Sequence, residues 1–248
     1  MLETLRTARG VMRSLGIYYG WRQRDRSRAM DELYRRFVKP GDLVFDIGAH
    51  VGDRVSAFRR LGARVLAVEP QPALAFTLNM LYGGDSNVII ARAAVGRTTG
   101  GLQLMINTAN PTVTTASSAF IHAAQDAPGW RGQQWDKSIQ VPMTTLDALI
   151  AAHGVPAFIK IDVEGYEEEV LMGLTQPVAA LSFEFTTIQR DVAHACVTRC
   201  AALGLTLFNA AIGESQEIGG WRSAESIAKW LDELPHEANS GDVYAMRP

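Results

Sequence analysis

Leu43-Val44-Phe45-Asp46-Ile47-Gly48-Ala49-His50-Val51-Gly52 is an apolar run that ends in an acid and breaks into a glycine turn. A short apolar run bounded by turn residues reads as a buried strand, and glycine supplies the backbone freedom that a tight turn needs. Farther along, Val65-Leu66-Ala67-Val68 ends in Glu69, a second acid at a second strand end. In an open parallel sheet, ligands lie across the carboxyl ends of the strands, where an acid can accept two ribose hydroxyls. The two runs together predict a nucleotide-type site.

The kind of nucleotide follows from the glycine spacing. Dinucleotide dehydrogenases use GxGxxG, which from Gly48 would need glycines at the positions of His50 and Asp53. The pattern present is DxGAxxG. An acid in front of the turn, with no glycine triplet to cradle a pyrophosphate, suits a cofactor with adenosine and no phosphates, S-adenosylmethionine. Asp46 would then face the cationic amino group, Gly48 and Gly52 would admit the backbone, and Glu69 would hold the ribose. His50 is placed to bond the methionine carboxylate. The competing structural reading is that Asp46 caps the next helix of an ordinary α/β unit; the second acid, Glu69, tips the balance toward a cofactor.

At 248 residues, 47% hydrophobic and 20% charged, the chain is long enough to bury about 70–75% of its unfolded surface around one core. A net charge of −2 offers no field for nucleic acid or acidic membranes. Residues 1–38 nevertheless hold nine arginines against Glu3, Asp25, Asp31 and Glu32. That leader is expected to be helical, either as a basic docking face for an anionic or lipid-linked acceptor or as a solvated helix in an arginine-rich chain. It is set apart from residues 39–248, and packing beside the acceptor cleft or against a second subunit, as in a homodimer, is expected of it. No apolar stretch reaches the roughly 18 residues of a bilayer span, and the first residues lack a signal-peptide core, so a cytoplasmic protein is expected. Cys196 and Cys200 have no partners at metal-ligand spacing and read as buried thiols on one helix face.

From residue 40 onward strand and helix signals alternate, which predicts a doubly wound parallel sheet. Strands are expected at 43–47, 64–69, 87–92, 157–162, 180–185, 205–209 and 242–246, the last forming an antiparallel hairpin, with an extra strand at 101–106. Helices are expected at 53–61, 72–82, from Thr144 or Thr145, from Glu164 to Leu174, and at 190–203. Residues 107–140 show no period and read as a lid over the cofactor edge, the seat of acceptor specificity; no role is assigned to His122 within it.

The fourth strand, Phe158-Ile159-Lys160-Ile161-Asp162, also ends in an acid. Asp46, Glu69 and Asp162 then converge on one sheet edge. Asp162 is the candidate general base, with helix capping as its structural alternative. Lys160 lies on the same face of the strand and is expected to pair with Asp162 or Glu184, or to reach the substrate. Glu184, at the end of the next strand, is a second candidate base.

Taken together, Val44 to Gly52, Glu69-Pro70 with Asn79, Thr145-Leu146-Asp147, Phe158 to Glu167, and Glu184 resemble the FkbM-type methyltransferases over about residues 40–246. The most specific element is Ile159 to Gly165. The resemblance implies the Rossmann-like, seven-stranded class I methyltransferase fold and S-adenosylmethionine-dependent O-methylation of sugars, polysaccharide or glycolipid units, or secondary metabolites. It implies that Asp46, Gly48, Ala49, His50, Gly52, Glu69, Pro70 and Asp162 lie at the cofactor, with Ala93 or Ala94 at the adenine and Glu164 beside the acceptor. His50 replaces the family's usual asparagine. A related group of O-methyltransferases uses a divalent metal, which Asp162 with Glu184 could host, although no third ligand is evident in the sequence. The alternatives are a nicotinamide-dependent oxidoreductase and a non-catalytic binding module of the same fold.

Overall fold

The computed structural model describes residues 2–19 and 24–248. Helices α1 (Leu2–Tyr19) and α2 (Arg24–Tyr34) come first, followed by β1 (Leu43–Ile47), α3 (Asp53–Arg60), β2 (Arg64–Val68), α4 (Pro72–Tyr82) and β3 (Val88–Ala91). A middle section holds β4 (Ala94–Val95), β5 (Gly100–Ile106), α5 (Ser118–Gln125) and β6 (Lys137–Thr144). The remainder is α6 (Leu146–His153), β7 (Phe158–Ile161), α7 (Glu167–Met172), β8 (Ala180–Thr186), α8 (Arg190–Ala202), β9 (Leu207–Ile212), α9 (Ala224–Glu233) and β10 (Ser240–Met246).

Seven strands form one sheet in the order β3-β2-β1-β7-β8-β10-β9. β10 runs antiparallel to both β8 and β9, while the other pairings are parallel. This is the expected doubly wound seven-stranded sheet with one antiparallel strand. β1 and β7 are buried along their whole length, as strands covered on both faces are, and each carries one buried charged residue, Asp46 and Lys160, among apolar ones. On one face Phe45, Ile47, Ile161 and Phe183 pack with residues of α6, α7, α8 and α9; on the other Val44 and Phe158 pack with Tyr34 of α2 and Phe58 of α3. Cys196 and Cys200 are buried free thiols on α8.

Local signals set several boundaries. Pro72 occupies the first turn of α4, where its missing N–H costs nothing. The Thr145 hydroxyl accepts the Ala148 N–H at 3.1 Å and so caps α6. Asp147 accepts the Thr175 N–H at 2.9 Å and the Thr175 hydroxyl at 2.6 Å, tying α6 to the loop after α7.

Three expectations change. Residues 107–140 are not a structureless lid: they include α5 and the start of β6, which pairs antiparallel with β5 from Gly100↔Met143 to Ile106↔Lys137. β6 is largely solvent-facing and carries Pro142, and α5 spans only two turns, so neither imposes a readable period. The segment has a small core of its own, in which Phe120 meets Trp130 edge to face at 4.9 Å, and the Trp135 indole N–H donates to the Val113 carbonyl at 2.8 Å. The helix expected from Glu164 begins at Glu167, because Glu164 (φ 57°) and Gly165 (φ 85°) are both left-handed and cannot continue a right-handed helix. Finally, α9 was not expected.

Candidate active site

The sheet register assembles the site. β1 lies between β2 and β7, with Asp46 opposite both Ala67 and Lys160. The chain leaving β1 folds back over β2 through the Gly48 and Ala49 N–H groups, which donate to the Val68 carbonyl at 2.9 and 3.1 Å. The Asp162 N–H donates to the Ile47 carbonyl at 2.9 Å, so the ends of β1 and β7 are joined. Gly48 has φ 84° and lies so close to the Asp162 carbonyl that a Cβ would collide with it. Gly52 (φ 86°) opens α3, and a Cβ there would strike the Tyr82 ring and Leu78.

Between these strand ends is a cleft of about 880 Å³, including its open mouth, lined among others by Asp46, Glu69, Pro70, Ala93, Asp162 and Glu164. Small-molecule sites typically occupy about 300–1,000 Å³. Gly48, Ala49 and His50 also line the cleft, as does Ala94, whereas Gly52 stands behind the turn.

Asp46 is 1% exposed, and its Oδ2 has no hydrogen-bond partner among the described residues. Burial, then the charge of Asp53, pushes its carboxyl up to about 7. An orphaned carboxylate oxygen facing a cleft is matched to a cationic, hydrogen-bonding group. Glu69 is equally buried and is held by the turn: one oxygen accepts the His50 N–H at 2.9 Å, the other the Gln71 N–H at 2.8 Å. Burial raises it to about 8 despite those two bonds. Each oxygen keeps a further lone pair, enough for a pair of hydroxyls. The His50 ring points to the leader: its Nε2 shares a hydrogen bond with Ser14 Oγ at 3.2 Å, approaches Thr112 Oγ1 at 3.5 Å, and the ring meets Tyr18 edge-on. Burial lowers its pKa, which keeps the ring neutral.

Lys160 is fully buried and bonds Asp242 Oδ1 at 2.7 Å and Asp162 Oδ2 at 3.1 Å. The expected pairing with Asp162 is present; the alternative with Glu184 is not, because β10 sets Asp242 directly opposite Glu184 and brings it to the ammonium first. Asp162 does not cap a helix. Glu167 takes the role of stabilising that loop, with its Oε1 accepting the Val163 and Gly165 N–H groups at 3.1 and 3.2 Å. Glu184 lies inside β8 rather than at its end, and its Oε2 is buried without a partner among the described residues.

The sequence reading missed a charged cluster on the cleft wall. Arg54 of α3 donates to Asp53 at 2.6 Å and to both oxygens of Glu214 at 3.1 and 2.9 Å, while Arg26 of α2 bridges the same two acids at 3.0 and 2.9 Å and covers the Tyr18 ring. Partial burial works against a charged Glu214, whose side chain is still 51% exposed, but the two arginines outweigh it and hold the carboxyl at about 2. An arginine within an ordinary helical run gives no signal that it faces inward. Gln71 was also missed: it donates to the Pro111 carbonyl at 3.1 Å and accepts the Thr114 hydroxyl at 3.1 Å, pinning the middle section over the cleft.

The Methyltransferase FkbM domain model matches residues 46–238, most of the chain and all of the strand ends just described. The chain belongs to the FkbM methyltransferase family. No curated protein matches the chain at a significant level. Among solved structures, the chain resembles precorrin-6y C5,15-methyltransferase from Geobacter metallireducens GS-15 at 11% identity and a TM-score of 0.45, covering 90% of this chain and 87% of that one. A TehB-like SAM-dependent methyltransferase from Corynebacterium glutamicum shows 10% identity and a TM-score of 0.45 over 95% and 99% of the two chains. Fibrillarin from Aeropyrum pernix, solved with natively bound S-adenosyl-L-methionine, shows 11% identity and a TM-score of 0.44 over 85% and 68%. Likenesses this distant say nothing about substrate. S-adenosylmethionine is the cofactor expected of an FkbM methyltransferase, and the orphaned Asp46 oxygen, the Glu69 carboxylate and the side-chain-free approach at Gly48 fit it. Among the described residues, no helix of the FkbM methyltransferase is long and apolar enough to cross a membrane.

Proposed function

We propose that this FkbM methyltransferase moves the methyl group of S-adenosylmethionine to a hydroxyl oxygen of a sugar, a glycolipid or polysaccharide unit, or a secondary metabolite. When bound, the cofactor supplies an electrophilic methyl on a sulfonium. Asp46 would hold its ammonium, Glu69 its ribose hydroxyls, and Ala93 and Ala94 would flank the adenine. The observation that carries the acceptor side is Asp162: at the end of β7 it opens on the cleft with its side chain 32% exposed, and Lys160 fixes one of its two oxygens. The other oxygen is free to orient a hydroxyl and to receive its proton as the oxygen is alkylated.

Lys160 is a positioning residue, since its ammonium is fully buried behind Asp162 and Asp242. Alignment of the reacting atoms supplies roughly 7–11 kcal/mol in such transfers, and a positioned base adds perhaps 10²–10⁴-fold. The reading is tested by calorimetric titration with S-adenosylmethionine, S-adenosylhomocysteine and NAD. Micromolar binding of both sulfur compounds and none of NAD supports it; binding of NAD alone would replace it with an oxidoreductase. With a working acceptor in hand, Asp162→Asn is expected to lower turnover by about 10²–10⁴-fold with cofactor affinity retained.

A further inference from the structure

Three carboxylates converge between the end of β7 and the interior of β8. One oxygen each from Asp162, Glu164 and Glu184 lies within 4.8 Å of the others. Two oxygens on opposite sides of a hard cation, each at about 2.3–2.6 Å, are at most about 5 Å apart, so this spread fits a single ion.

An acidic cluster alone would not single out a ligand. Here two of the three carboxylates also carry a buried oxygen without a partner among the described residues. Glu164 is 6% exposed, and its Oε2 has no hydrogen-bond partner among the described residues; Glu184 Oε2 is in the same state. A third oxygen nearby repeats it: Gln189 Oε1, on a residue 6% exposed, is unpartnered and lines the same small cavity of about 200 Å³ as Glu184. Buried oxygens are ordinarily bonded, and leaving one bare is costly.

The local charge points the same way. Lys160 is the cation that touches this group among the described residues, and its bonds go to Asp242 and Asp162. Asp162, Glu164, Glu184 and Asp242 therefore share one positive charge. Glu164 is held where it is by backbone: its carbonyl accepts the Thr115 hydroxyl at 2.6 Å, which locks the left-handed turn that aims the side chain inward.

We propose that Asp162, Glu164 and Glu184 form a site for one hard divalent cation of the magnesium, manganese or calcium class, with open positions facing the cleft that take acceptor oxygens. All three donors are carboxylate oxygens, the ligands such ions select, with no sulfur or imidazole to draw zinc or copper. Asp162 and Glu164 line the cofactor cleft while Glu184 lines a separate small cavity, so the ion would sit at the wall of the cleft. Only the acceptor part rests on the methyltransferase reading; the ion site stands on the carboxylates themselves.

The test uses the full chain, freed of metal by chelator, with Mn²⁺ binding followed by electron paramagnetic resonance and S-adenosylhomocysteine binding by calorimetry in the same preparation. One saturable Mn²⁺ site per chain, displaced by Mg²⁺ or Ca²⁺, is expected. Glu184→Gln should weaken it by about 10–100-fold and leave S-adenosylhomocysteine affinity unchanged, since Glu184 is not on the cofactor cleft. If that variant does not fold, Glu164→Gln serves for the Mn²⁺ measurement alone, because Glu164 lines the cofactor cleft. No saturable Mn²⁺ site on the parent protein, or Mn²⁺ binding unchanged in the folded variants, overturns the proposal. If S-adenosylhomocysteine fails to bind while Mn²⁺ behaves as expected, the cofactor reading falls and the ion site stands.

Discussion

Replacing Lys160 with methionine keeps the length of the side chain and removes its charge. Asp242, whose side chain is 7% exposed, then loses a 2.7 Å ion pair, and Asp162 loses one at 3.1 Å. Breaking a buried pair on one side costs about 3–5 kcal/mol, a large share of the roughly 5–15 kcal/mol that holds a domain together. For a chain of this size a loss of 1 kcal/mol lowers the melting temperature by about 2–4 °C, so Lys160→Met should melt about 6–20 °C lower. The loss should depend on pH in a definite direction. Burial already raises the Asp242 carboxyl despite the ammonium beside it, and without Lys160 it rises further. A folded carboxyl with a raised pKa binds a proton that the unfolded chain releases, so the deficit is full at high pH and shrinks as pH falls toward the ordinary carboxyl range. Thermal and urea unfolding at pH 8 and pH 5.5 would measure both effects. Lys160→Met/Asp242→Leu, which removes the more deeply buried of the two stranded carboxylates and leaves only Asp162 without its partner, should recover part of the stability. A single variant that melts within 2 °C of the parent, or a double variant worse than the single, would refute this account of the buried pair.

The pH dependence of the ligand-free protein should also run against the usual carboxylate trend. Asp46 at about 7 and Glu69 at about 8 are both raised by burial, so the urea midpoint should fall between pH 5.5 and 8.5, and S-adenosylmethionine should restore more stability at the upper end, where Asp46 is charged. Glu214 has the opposite sign: its carboxyl at about 2 makes a contribution that is present above the ordinary glutamate value and lost as pH falls toward 2, but with its side chain 51% exposed, solvent screens that contribution, so Glu214→Gln should shrink the acid limb of the unfolding curve without removing it. Gly48→Ala should cost at least about 1–2 kcal/mol for its left-handed backbone, and calorimetry should find cofactor binding lost because the new Cβ displaces the Asp162 carbonyl.

The parts of the site that lay in short contiguous runs were legible in the sequence. Asp46 and Gly48, Glu69, and Lys160 with Asp162 each sit at the end of a buried apolar strand, and parallel pairing leaves those ends nowhere to go but one edge. Thr145 capping α6 was likewise a local matter of one hydroxyl and one N–H. Asp242 was not legible. It lies 82 residues from Lys160, on the one strand whose direction is reversed, so its partner is set by the β10–β8 register rather than by spacing along the chain. The same holds for Arg54 and Glu214, which are 160 residues apart and meet through the packing of α3 on the loop after β9. β6 was hidden because half of its residues face water and because Pro142 reads as a break; what defines it is β5 alongside.

β10 lies between β8 and β9 yet follows both in the chain. While the polypeptide is being made, β8 and β9 therefore present facing, unfilled edges, and no pairing between those two elements can close the gap. The residues that close it, 240–246, include Asp242, so the strand that completes the sheet also delivers the countercharge for Lys160. Until it arrives, the buried ammonium lacks the shorter of its two ion pairs and keeps the one with Asp162. The chemistry of the site is therefore not held in shape until residues 240–246 dock. A ribosome stalled before residue 240 would display an open-edged intermediate, prone to capture another strand and unable to set the orientation of Asp162.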